Sequence, residues 1–446
     1  MWGEPAVREE DIVRAILEKR SDIGRDDLER MVEAKMRESP FLSRLGALLI
    51  ILEEERLSEE FMVGKAESYD YTPLSRLTKG LQNVSVVGRV LGVSKGSKHS
   101  RLRLSDGTAS ADLVIWEENA PAFEISPGDV IEVRNAYVKT GRRAGELVIY
   151  AGPKTSISKT SLNMVSLEEL VKPVSKVISE NGKSVDVSFV VIAVYAPRVV
   201  GERLKLCEVL VTDGEAEAVL TAWNELADVF RDCPRGQRVI AAPVTVTDGE
   251  LATTPYTSVM KTEVDYEAVE NAMRRSVKDL VLKVFAEGFD GYAVAGDGVG
   301  LVKLVGHPAD FKCVKVLSGF RVSRRGVPFI YVVEASGVEG PCNVEPSSVE
   351  ALENLVGRVV DGFVDCVVVR KGQVGFVNTK YGSRRAVNLW LRVGGKIYNG
   401  TAWGRAADAF EEIGESTRIR VAFPAVRRTV QGDVQLSIDD WSAIIS

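Results

Sequence analysis

Four of the six tryptophans in this 446-residue chain lie in runs where polar and apolar residues alternate. They are Trp116, Trp223, Trp390 and Trp403. Side chains of a strand point alternately to opposite faces, so each indole is predicted to lie on the face away from the apolar core. An exposed aromatic ring can stack on a nucleic-acid base and stabilises binding by about 1–3 kcal/mol per base. Base stacking, rather than a place in the core, is therefore the chemistry that these residues favour.

Lysines and arginines occur in the loops and strands beside these tryptophans. Cations in such positions contact phosphates, which every nucleotide carries whatever its base. The candidate backbone contacts are Lys95, Lys98, Arg101, Arg103, Lys139, Arg142, Arg143, Arg198, Arg203, Lys205, Arg370, Lys371, Lys380, Arg384, Arg385, Arg427 and Arg428. Alternation around Leu102 and Leu104 places Arg101 and Arg103 on the outward face, beside Trp116. The combined pattern predicts a surface that holds single-stranded nucleic acid with little sequence preference.

The elements that must position these residues repeat along the chain. Residues 104–123, 211–230 and 392–410 each contain a turn, a strand, a tryptophan, a short polar helix and a phenylalanine. The spacing from tryptophan to phenylalanine is seven residues in all three copies. Trp223 and Trp403 are 180 residues apart, about twice one repeat, which predicts a further copy between them that lacks the tryptophan.

Alternating runs before and after each unit give five strands with one helix after the third. This is the strand count and order of an OB-fold, a partly open barrel. We therefore predict a mainly β chain of four tandem OB-fold barrels, preceded by a small α-helical bundle. The predicted bounds are 1–56 for the acidic helical module, 57–73 for a linker, and 74–154, 162–260, 277–340 and 351–446 for the barrels, with a Ser/Thr/Lys-rich linker at 154–161.

The third barrel is predicted to be trimmed. It has no tryptophan at the repeated position, and Gly306–Asp310 stands where the other copies have a helix. A spacer or a protein contact surface is favoured over a main nucleic-acid site. Arg321, Arg324 and Arg325 leave a backbone contact open.

Charge is unevenly distributed, although the whole chain has a net charge of −6. Residues 1–70 contain 11 Lys and Arg against 18 Asp and Glu, a net charge of −7. Residues 71–160 contain 13 against 8, a net charge of +5. Local rather than global charge steers a polyanion, so the acidic total does not exclude nucleic acid. The helical module is predicted to be a stable acidic cap, and the alternative is a module for a protein partner or for the basic groove of the first barrel.

Enzymatic chemistry is not predicted. The sequence contains no P-loop, no H-E-x-x-H and no G-x-S-x-G, and only two histidines, so we assign no catalytic residue, metal site or cofactor. The five cysteines occur singly, without a C-x-x-C pair. We expect reduced, buried thiols in a cytoplasmic, nucleoid-associated protein. No apolar run is long enough for a membrane span.

The turn, strand, tryptophan, helix and phenylalanine pattern, with its basic loops, resembles the large subunit of archaeal replication protein A over residues 74–446. The resemblance implies a protein that coats single-stranded DNA in replication, recombination and repair, with the stacking role on Trp116, Trp223 and Trp403. It also implies protein partners, namely smaller replication protein A subunits or replication and repair proteins, through the N-terminal module and the third barrel. Many relatives have a zinc-binding insertion in a later barrel, and this chain lacks the cysteines for one.

Two other classes remain open. An OB-fold protein that binds RNA would have the same stacking groove, since stacking does not distinguish the sugars. A protein-interaction scaffold would use the same tryptophans as interface anchors.

Overall fold

The computed structural model describes residues 9–20, 22–38, 43–54, 71–141, 146–200, 204–306, 311–338, 342, 344–345, 348–349, 351–379 and 382–445. The chain divides into two compact units, Met1–Val165 and Ser166–Ser446. The first unit begins with the predicted helices, α1 Glu9–Lys19, α2 Arg25–Glu38 and α3 Arg44–Glu54. Their apolar faces meet in a small core around Ile12, Leu28 and Leu48. Ser43 caps α3, because its hydroxyl accepts the Gly46 N–H at 3.1 Å.

The first barrel lies in the same unit and follows the 3-10 helix Leu74–Arg76. Its strands are β1 Val84–Lys95, β2 His99–Ser105, β3 Ser110–Trp116, β4 Val130–Thr140, β5 Leu147–Ala151 and β6 Ser156–Lys159. The strand order is β1-β2-β3-β5-β4, and pairing of β4 with β1 closes the barrel. The prediction of a linker at 154–161 is therefore wrong in part. Strand β6 lies within it and pairs with β4, and Ile157 packs on the barrel core.

The second barrel opens the second unit. Two short helices, α4 Leu167–Leu170 and α5 Val174–Val177, flank the short strand β7 Lys172–Pro173. The other strands are β8 Ser184–Val194, β9 Arg198–Val200, β10 Leu204–Thr212, β11 Glu217–Trp223, β12 Gln237–Thr247 and β13 Glu250–Val264. Helix α6, Glu225–Arg231, follows the tryptophan, and helix α7, Tyr266–Arg274, leads to the next barrel. Pairing of β8 with β10 closes this barrel in the same order as the first.

The third barrel is a closed barrel of short and long strands. These are β14 Leu280–Glu287, β15 Ala293–Gly296, β16 Leu301–Val305, β17 Cys313–Arg324 and β18 Val327–Gly337, ordered β14-β15-β16-β18-β17. The repeat predicted between Trp223 and Trp403 is thus present. Of the segment Gly306–Asp310, which was predicted to stand in place of the helix, residues 307–310 lie outside the described residues.

The fourth barrel repeats the same order with one strand divided. Its strands are β19 Phe363–Lys371, β20 Gly375–Thr379, β21 Gly382–Val393, β22 Lys396–Trp403, β23 Arg418–Ala422, β24 Ala425–Arg428, β25 Val434–Ile438 and β26 Ala443–Ile445. Helix α8, Arg405–Glu412, follows Trp403. The division between β23 and β24 falls at Phe423, whose φ of 54° cannot continue a strand, followed by Pro424. The fold class predicted from the repeats is confirmed.

One backbone contact recurs at the three repeated tryptophans. The residue after each tryptophan donates its N–H to a carbonyl near the start of the strand that pairs with the tryptophan's own strand, at 3.1, 2.7 and 2.9 Å. The donors are Glu117, Asn224 and Gly404, and the acceptors are Lys98, Lys205 and Arg385. The following phenylalanines pack on the cores. The three tryptophans therefore occupy one structural position.

A second apolar core joins the three barrels of the second unit. It combines Leu210 and Val219 of the second barrel with Phe320 and Tyr331 of the third and Phe423 of the fourth. All five are buried at 5% exposure or less. These residues lie outside the individual barrel cores, so the sheets that carry them are apolar on both faces. The three barrels are consequently packed against one another.

The cysteine prediction is wrong at two of its five positions. Cys313 and Cys342 form a disulfide with 5.8 Å between their α-carbons. Cys313 begins β17, and β17 pairs antiparallel with β18, so the chain beyond β18 returns to the same end of the hairpin. Cys207, Cys233 and Cys366 are free and buried, as expected. Burial raises the pKa of the Cys366 thiol to about 12.

Among the described residues, no helix is both long and apolar enough to cross a membrane.

Candidate nucleic-acid interface

The outer face of the first barrel carries Trp116 beside a histidine. The outer face of the first barrel is defined as the side chains of β2 to β5 that point away from the barrel core: His99, Arg101, Arg103, Asp112, Val114, Trp116, Tyr137, Lys139, Val148 and Tyr150. Trp116 pairs with His99 across β2 and β3, with ring centroids 5.3 Å apart and ring planes tilted by 57°. Trp116 is 38% exposed, so its orientation is the one that strand alternation predicts.

Two tyrosines that the sequence analysis does not single out extend this face. Tyr137 and Tyr150 are cross-strand partners whose ring centroids lie 5.6 Å apart, with planes 13° from parallel. The Lys139 ammonium lies 4.8 Å from the Tyr137 ring centre and 5.9 Å from the Tyr150 ring centre, within cation–π range. Gly152 leaves room for this arrangement, since a β-carbon there would be 3.3 Å from the Tyr137 ring. The face therefore has an aromatic pair and a cation besides Trp116.

Arg101 and Arg103 lie on the outer face but are held by carboxylates. Arg101 donates to Asp112 and to Glu146, and Arg103 donates to Asp112 at 3.1 Å. Their side chains are only 15% and 11% exposed, and that of Asp112 is 3% exposed. A carboxylate so buried needs cationic partners. Arg101 and Arg103 thus lie on the outward face, as alternation predicts, where Asp112 of the adjacent strand engages both; their role as backbone contacts stays a prediction.

The hairpin between β1 and β2 remains open to solvent. The Lys95 side chain is 70% exposed, with its ammonium 3.4 Å from a Glu124 oxygen. Lys98 is also exposed. Both cations can therefore approach a backbone phosphate without first losing a buried partner. Arg142 and Arg143, predicted in the hairpin between β4 and β5, lie outside the described residues.

The outer face of the fourth barrel carries two tryptophans, each beside an arginine. Trp390 and Trp403 are half-buried. Arg370 pairs with Trp390 across β19 and β21, with its guanidinium carbon 5.2 Å from the indole. Arg384 is placed 5.9 Å from the Trp403 ring and 3.0 Å from an Asp440 oxygen. Trp390 lies opposite Asn399 of β22, and Trp403 is four residues further along the same strand. The two indoles are therefore about 13 Å apart in the strand direction.

Polar side chains cross the fourth barrel between the two tryptophans. We define its outer face as Asn388, Trp390, Asn399, Thr401, Trp403, Arg427, Gln435 and Ser437. The Gln435 amide donates to the Thr401 hydroxyl at 2.7 Å. Asn399 pairs with Gln435, which in turn pairs with Arg427, so a row of hydrogen-bonding groups ends at a cation. Lys139 of the first barrel and Arg427 of the fourth occupy equivalent positions. Lys139 lies opposite Val148 of β5, and Arg427 lies opposite Gln435 of β25. Val148 and Gln435 each pair in turn with the strand that bears the repeated tryptophan of their barrel.

Several other predicted cations of the fourth barrel have structural partners. Arg385 lies on the same side of β21 as Val387 and Leu389, where it pairs with Asp408 and Glu411 of helix α8 at 2.9 and 2.5 Å. Lys371 donates to the carbonyls of Phe410 and Glu411, at the C-terminal end of α8. Such a cation stabilises the helix end. Both cations thus engage helix α8, and alternation places Arg385 towards that helix; their role as DNA-backbone contacts stays a prediction.

Arg428 lies on the opposite side of β24 from Arg427 and donates to the Gly432 carbonyl of its own hairpin at 3.2 Å. Lys380 lies outside the described residues. Phe376, which the sequence analysis missed, is 76% exposed on β20. Since β20 pairs with β21 beside Arg385, this ring lies at the edge of the fourth barrel.

Comparison with known proteins supports a nucleic-acid role for the first barrel. Residues 84–152 match the OB-fold nucleic acid binding domain family. The match spans β1 to β5 and contains Trp116, Tyr137, Lys139 and Tyr150. A search of curated proteins finds no match.

Solved structures with a similar course of the chain include three that concern single-strand binding or replication. A replication protein A heterotrimer bound to ssDNA is 12% identical, covering 84% of this chain and 96% of that one, with a TM-score of 0.34. Schizosaccharomyces pombe Pot1pC bound to ssDNA is 20% identical over 23% and 94%, with a TM-score of 0.20. A replication factor A related protein from Methanobacterium thermoautotrophicum is 20% identical over 21% and 93%, with a TM-score of 0.19.

The second OB-fold turns most of the equivalent face towards its neighbour. Where the first barrel has Arg101 and Arg103, the register places Glu208 and Leu210, which are 3% and 0% exposed. Glu208 pairs with Arg324 of the third barrel. Trp223 is half-buried at the end of this face, and its side chain is at the position equivalent to Trp116. An acidic and an apolar residue thus replace two cations, which is the sequence signal for a packed rather than an open face.

The predicted cations of the second barrel follow this change. Arg198 donates to the Asp290 carbonyl, and its guanidinium lies 3.9 Å from the Tyr292 ring centre of the third barrel. Lys205 pairs with Asp228 of helix α6. Arg198 thus meets the next barrel and Lys205 lies on the core side of β10; their role as backbone contacts stays a prediction. Arg203 lies outside the described residues.

The third OB-fold has its equivalent face buried between the other two. Lys303 is completely buried and pairs with Asp290. Burial lowers the pKa of Lys303. Arg324 joins Glu208 and Glu250 of the second barrel and donates to the Tyr331 hydroxyl at 2.7 Å. This face of the third barrel therefore makes contacts within the chain, with Arg324 paired to the second barrel; a spacer role or a contact with a protein partner stays a prediction for this barrel.

Proposed function

We propose that the chain binds single-stranded DNA without sequence preference, on the outer faces of the first and fourth barrels. Trp116, Trp390 and Trp403 stack on bases, assisted by Tyr137 and Tyr150. Lys95, Lys98, Lys139, Arg370, Arg384 and Arg427 contact phosphates, and Trp223 contributes at the uncovered end of the second barrel. In the cell this activity coats the single strands that replication, recombination and repair expose.

The observation that carries this proposal is the composition of the first barrel's outer face. A surface tryptophan, a stacked tyrosine pair and a lysine over those rings share one side of a sheet in the part of the chain that matches a nucleic-acid-binding family. Exposed aromatic rings cost free energy in water unless something covers them, and bases tolerate any such platform. Cations beside the rings supply the sequence-independent part of the affinity.

A protein scaffold is the second candidate, because one specific observation favours it. The second and third barrels already use their equivalent faces to pack against protein. The outer faces of the first and fourth barrels differ in having open polar and cationic residues, among them Lys139, Asn388 and Arg427. Such composition fits a polyanion better than the desolvated centre of a protein interface.

The test is titration of intrinsic tryptophan fluorescence with poly(dT) and with poly(rU) at several salt concentrations. Stacking should quench the fluorescence, and the logarithm of the binding constant should fall linearly with the logarithm of salt concentration. Binding of poly(dT) that stays constant from low to high salt would contradict the phosphate contacts. Tighter binding of poly(rU) than of poly(dT) would instead support the RNA-binding alternative.

A further inference from the structure

A cavity of about 610 Å³ lies at the seam between the third and fourth barrels. The third barrel lines it with Arg325 and Gly326, and the fourth barrel lines it with Arg358, Val359, Arg427 and Trp441. Trp441 packs against the inter-barrel core and forms one wall of the cavity. We call this cavity the seam cavity. It belongs to neither barrel alone.

The hairpin between β17 and β18 places Arg325 in the seam cavity. Arg325 and Gly326 form the turn, with φ values of 52° and 81°, between the paired residues Arg324 and Val327. Positive φ at both central residues is typical of a tight two-residue hairpin turn. The residues on each side are fixed, because Arg324 is paired with two glutamates and Val327 is 2% exposed in the inter-barrel core. The turn is consequently a rigid support for Arg325.

Two of the three guanidiniums that line the seam cavity have no carboxylate partner within the described part of the chain. Arg325 and Arg358 are exposed, and no described carboxylate lies within 4 Å of either guanidinium. Arg427 is 3.6 Å from a carboxylate oxygen of Asp439, which is itself 3% exposed. By contrast, Arg324, one residue before Arg325, has two carboxylate partners. Several guanidiniums around one cavity attract an anion, and arginine is well suited to phosphate.

The seam cavity continues the outer face of the fourth barrel. The register gives one row across five strands, Arg370, Trp390, Asn399, Gln435 and Arg427. At about 4.8 Å per strand, this row is about 19 Å long. Beyond β24, Val359 forms a bridge with Ala425, and a β-carbon on Gly326 would lie 3.9 Å from Val359. The far end of the row therefore adjoins the third barrel's hairpin.

We propose that the seam cavity binds the phosphate backbone of single-stranded nucleic acid as it leaves the outer face of the fourth barrel. Arg325, Arg358 and Arg427 contact the phosphates. The third barrel, whose own face is buried, thus contributes to binding through one hairpin that completes its neighbour's site. This proposal rests on the single-strand binding proposed above.

The experiment uses the full chain and poly(dT). Arg325→Gly removes the charge and suits the positive φ, and Arg325→Lys keeps the charge. Arg321→Ala is the matched control, since Arg321 is a 52% exposed arginine of β17, 3.6 Å from Asp297. Thermal unfolding is measured for each variant, and Arg358→Ala serves as a second variant outside the turn.

Each lost phosphate contact should make the slope of the logarithm of the binding constant against the logarithm of salt concentration less negative by about 0.7. Arg325→Gly and Arg358→Ala should each show this reduction and bind more weakly at low salt, whereas Arg325→Lys and Arg321→Ala should keep the wild-type slope. Wild-type slopes and affinities in both Arg325→Gly and Arg358→Ala would overturn the seam site. If Trp403→Ala still weakened binding in that case, the proposed function would stand without it. Failure of the wild-type chain to bind poly(dT) would remove both proposals.

Discussion

At the scale of single residues, the repeated tryptophan position has different surroundings in different barrels. Trp116 is 38% exposed beside His99, and Trp403 lies near Arg384. Trp223 is on a face whose other residues, including Glu208 and Leu210, are covered by the third barrel. The same residue type at the same backbone position therefore has unequal room for a base.

Trp116→Ala and Trp403→Ala should each weaken single-strand binding by about 1–3 kcal/mol, the usual loss of one stacking platform. Fluorescence anisotropy of a labelled oligo(dT) measures the affinity. Trp223→Ala is the matched control and should have the smaller effect, because little of its face is open. Thermal unfolding checks the assignment, since a large fall in Tm for Trp116→Ala would show that the indole supports the core instead.

The tyrosine pair allows a test that separates ring from hydroxyl. Tyr150→Ala should weaken binding by about 1–3 kcal/mol, because it removes a ring from the outer face of the first barrel. Tyr150→Phe keeps the ring and should bind as the wild type does. Equal losses in both variants, measured by the same anisotropy assay, would assign the effect to the hydroxyl group and not to stacking.

At the scale of elements, alternation predicted the faces of single strands well. It placed Trp116 and Trp390 outward because the flanking leucines and isoleucine define the core side, and it assigned Trp403 to the face of Trp390. It failed to identify Tyr137 because Asn135, with φ of 56°, inserts a bulge in β4. The core residues of β4 change from odd to even positions there, from Val133 to Ala136. A local bulge of this kind reverses the face of every later residue.

Periodicity alone did not identify what covers the outer faces of the second and third barrels. Strands β16 and β18 are near-continuous apolar runs, as strands buried on both faces are, but such a run does not show which neighbour covers the second face. Replacement of the two arginines by Glu208 and Leu210 was a further signal, but it becomes informative only once the barrels are aligned by structure. The disulfide had no signal in spacing, because its geometry depends on the long β17–β18 hairpin.

The inter-barrel contact predicts a variant that separates stability from binding. Arg324→Ala leaves Glu208, which is 3% exposed, without its cation, so the free energy of unfolding should fall by about 3–5 kcal/mol. Chemical denaturation measures this loss. Arg321→Ala, on the exposed side of the same strand, should stay within about 0.5 kcal/mol of the wild type. Similar small effects for both would show that the Arg324 network is not a structural contact.

At the scale of the whole molecule, the acidic helical module and the basic first barrel stand next to each other in sequence. Residues 1–70 have a net charge of −7 and residues 71–160 a net charge of +5. Tethering gives the module a high effective concentration, so a weak contact with the first barrel can compete with DNA. Deletion of residues 1–70 should then raise the affinity for a short oligonucleotide, most clearly at low salt. Unchanged or weaker binding, measured by anisotropy, would assign the module to another partner or to stability alone.

Single-stranded DNA is proposed to lie on the outer faces of the first and fourth barrels, because neighbouring barrels cover most of the equivalent faces of the second and third. Oxidative footprinting of the full chain with saturating poly(dT), read by mass spectrometry, shows which side chains the bound strand protects. Oxidation of Trp116, Tyr150, Trp390 and Trp403 should fall, whereas that of Tyr292 and Tyr331 should stay unchanged because they are buried in both states. Unchanged oxidation of all four residues in a chain that has bound poly(dT) would rule out binding on these two faces.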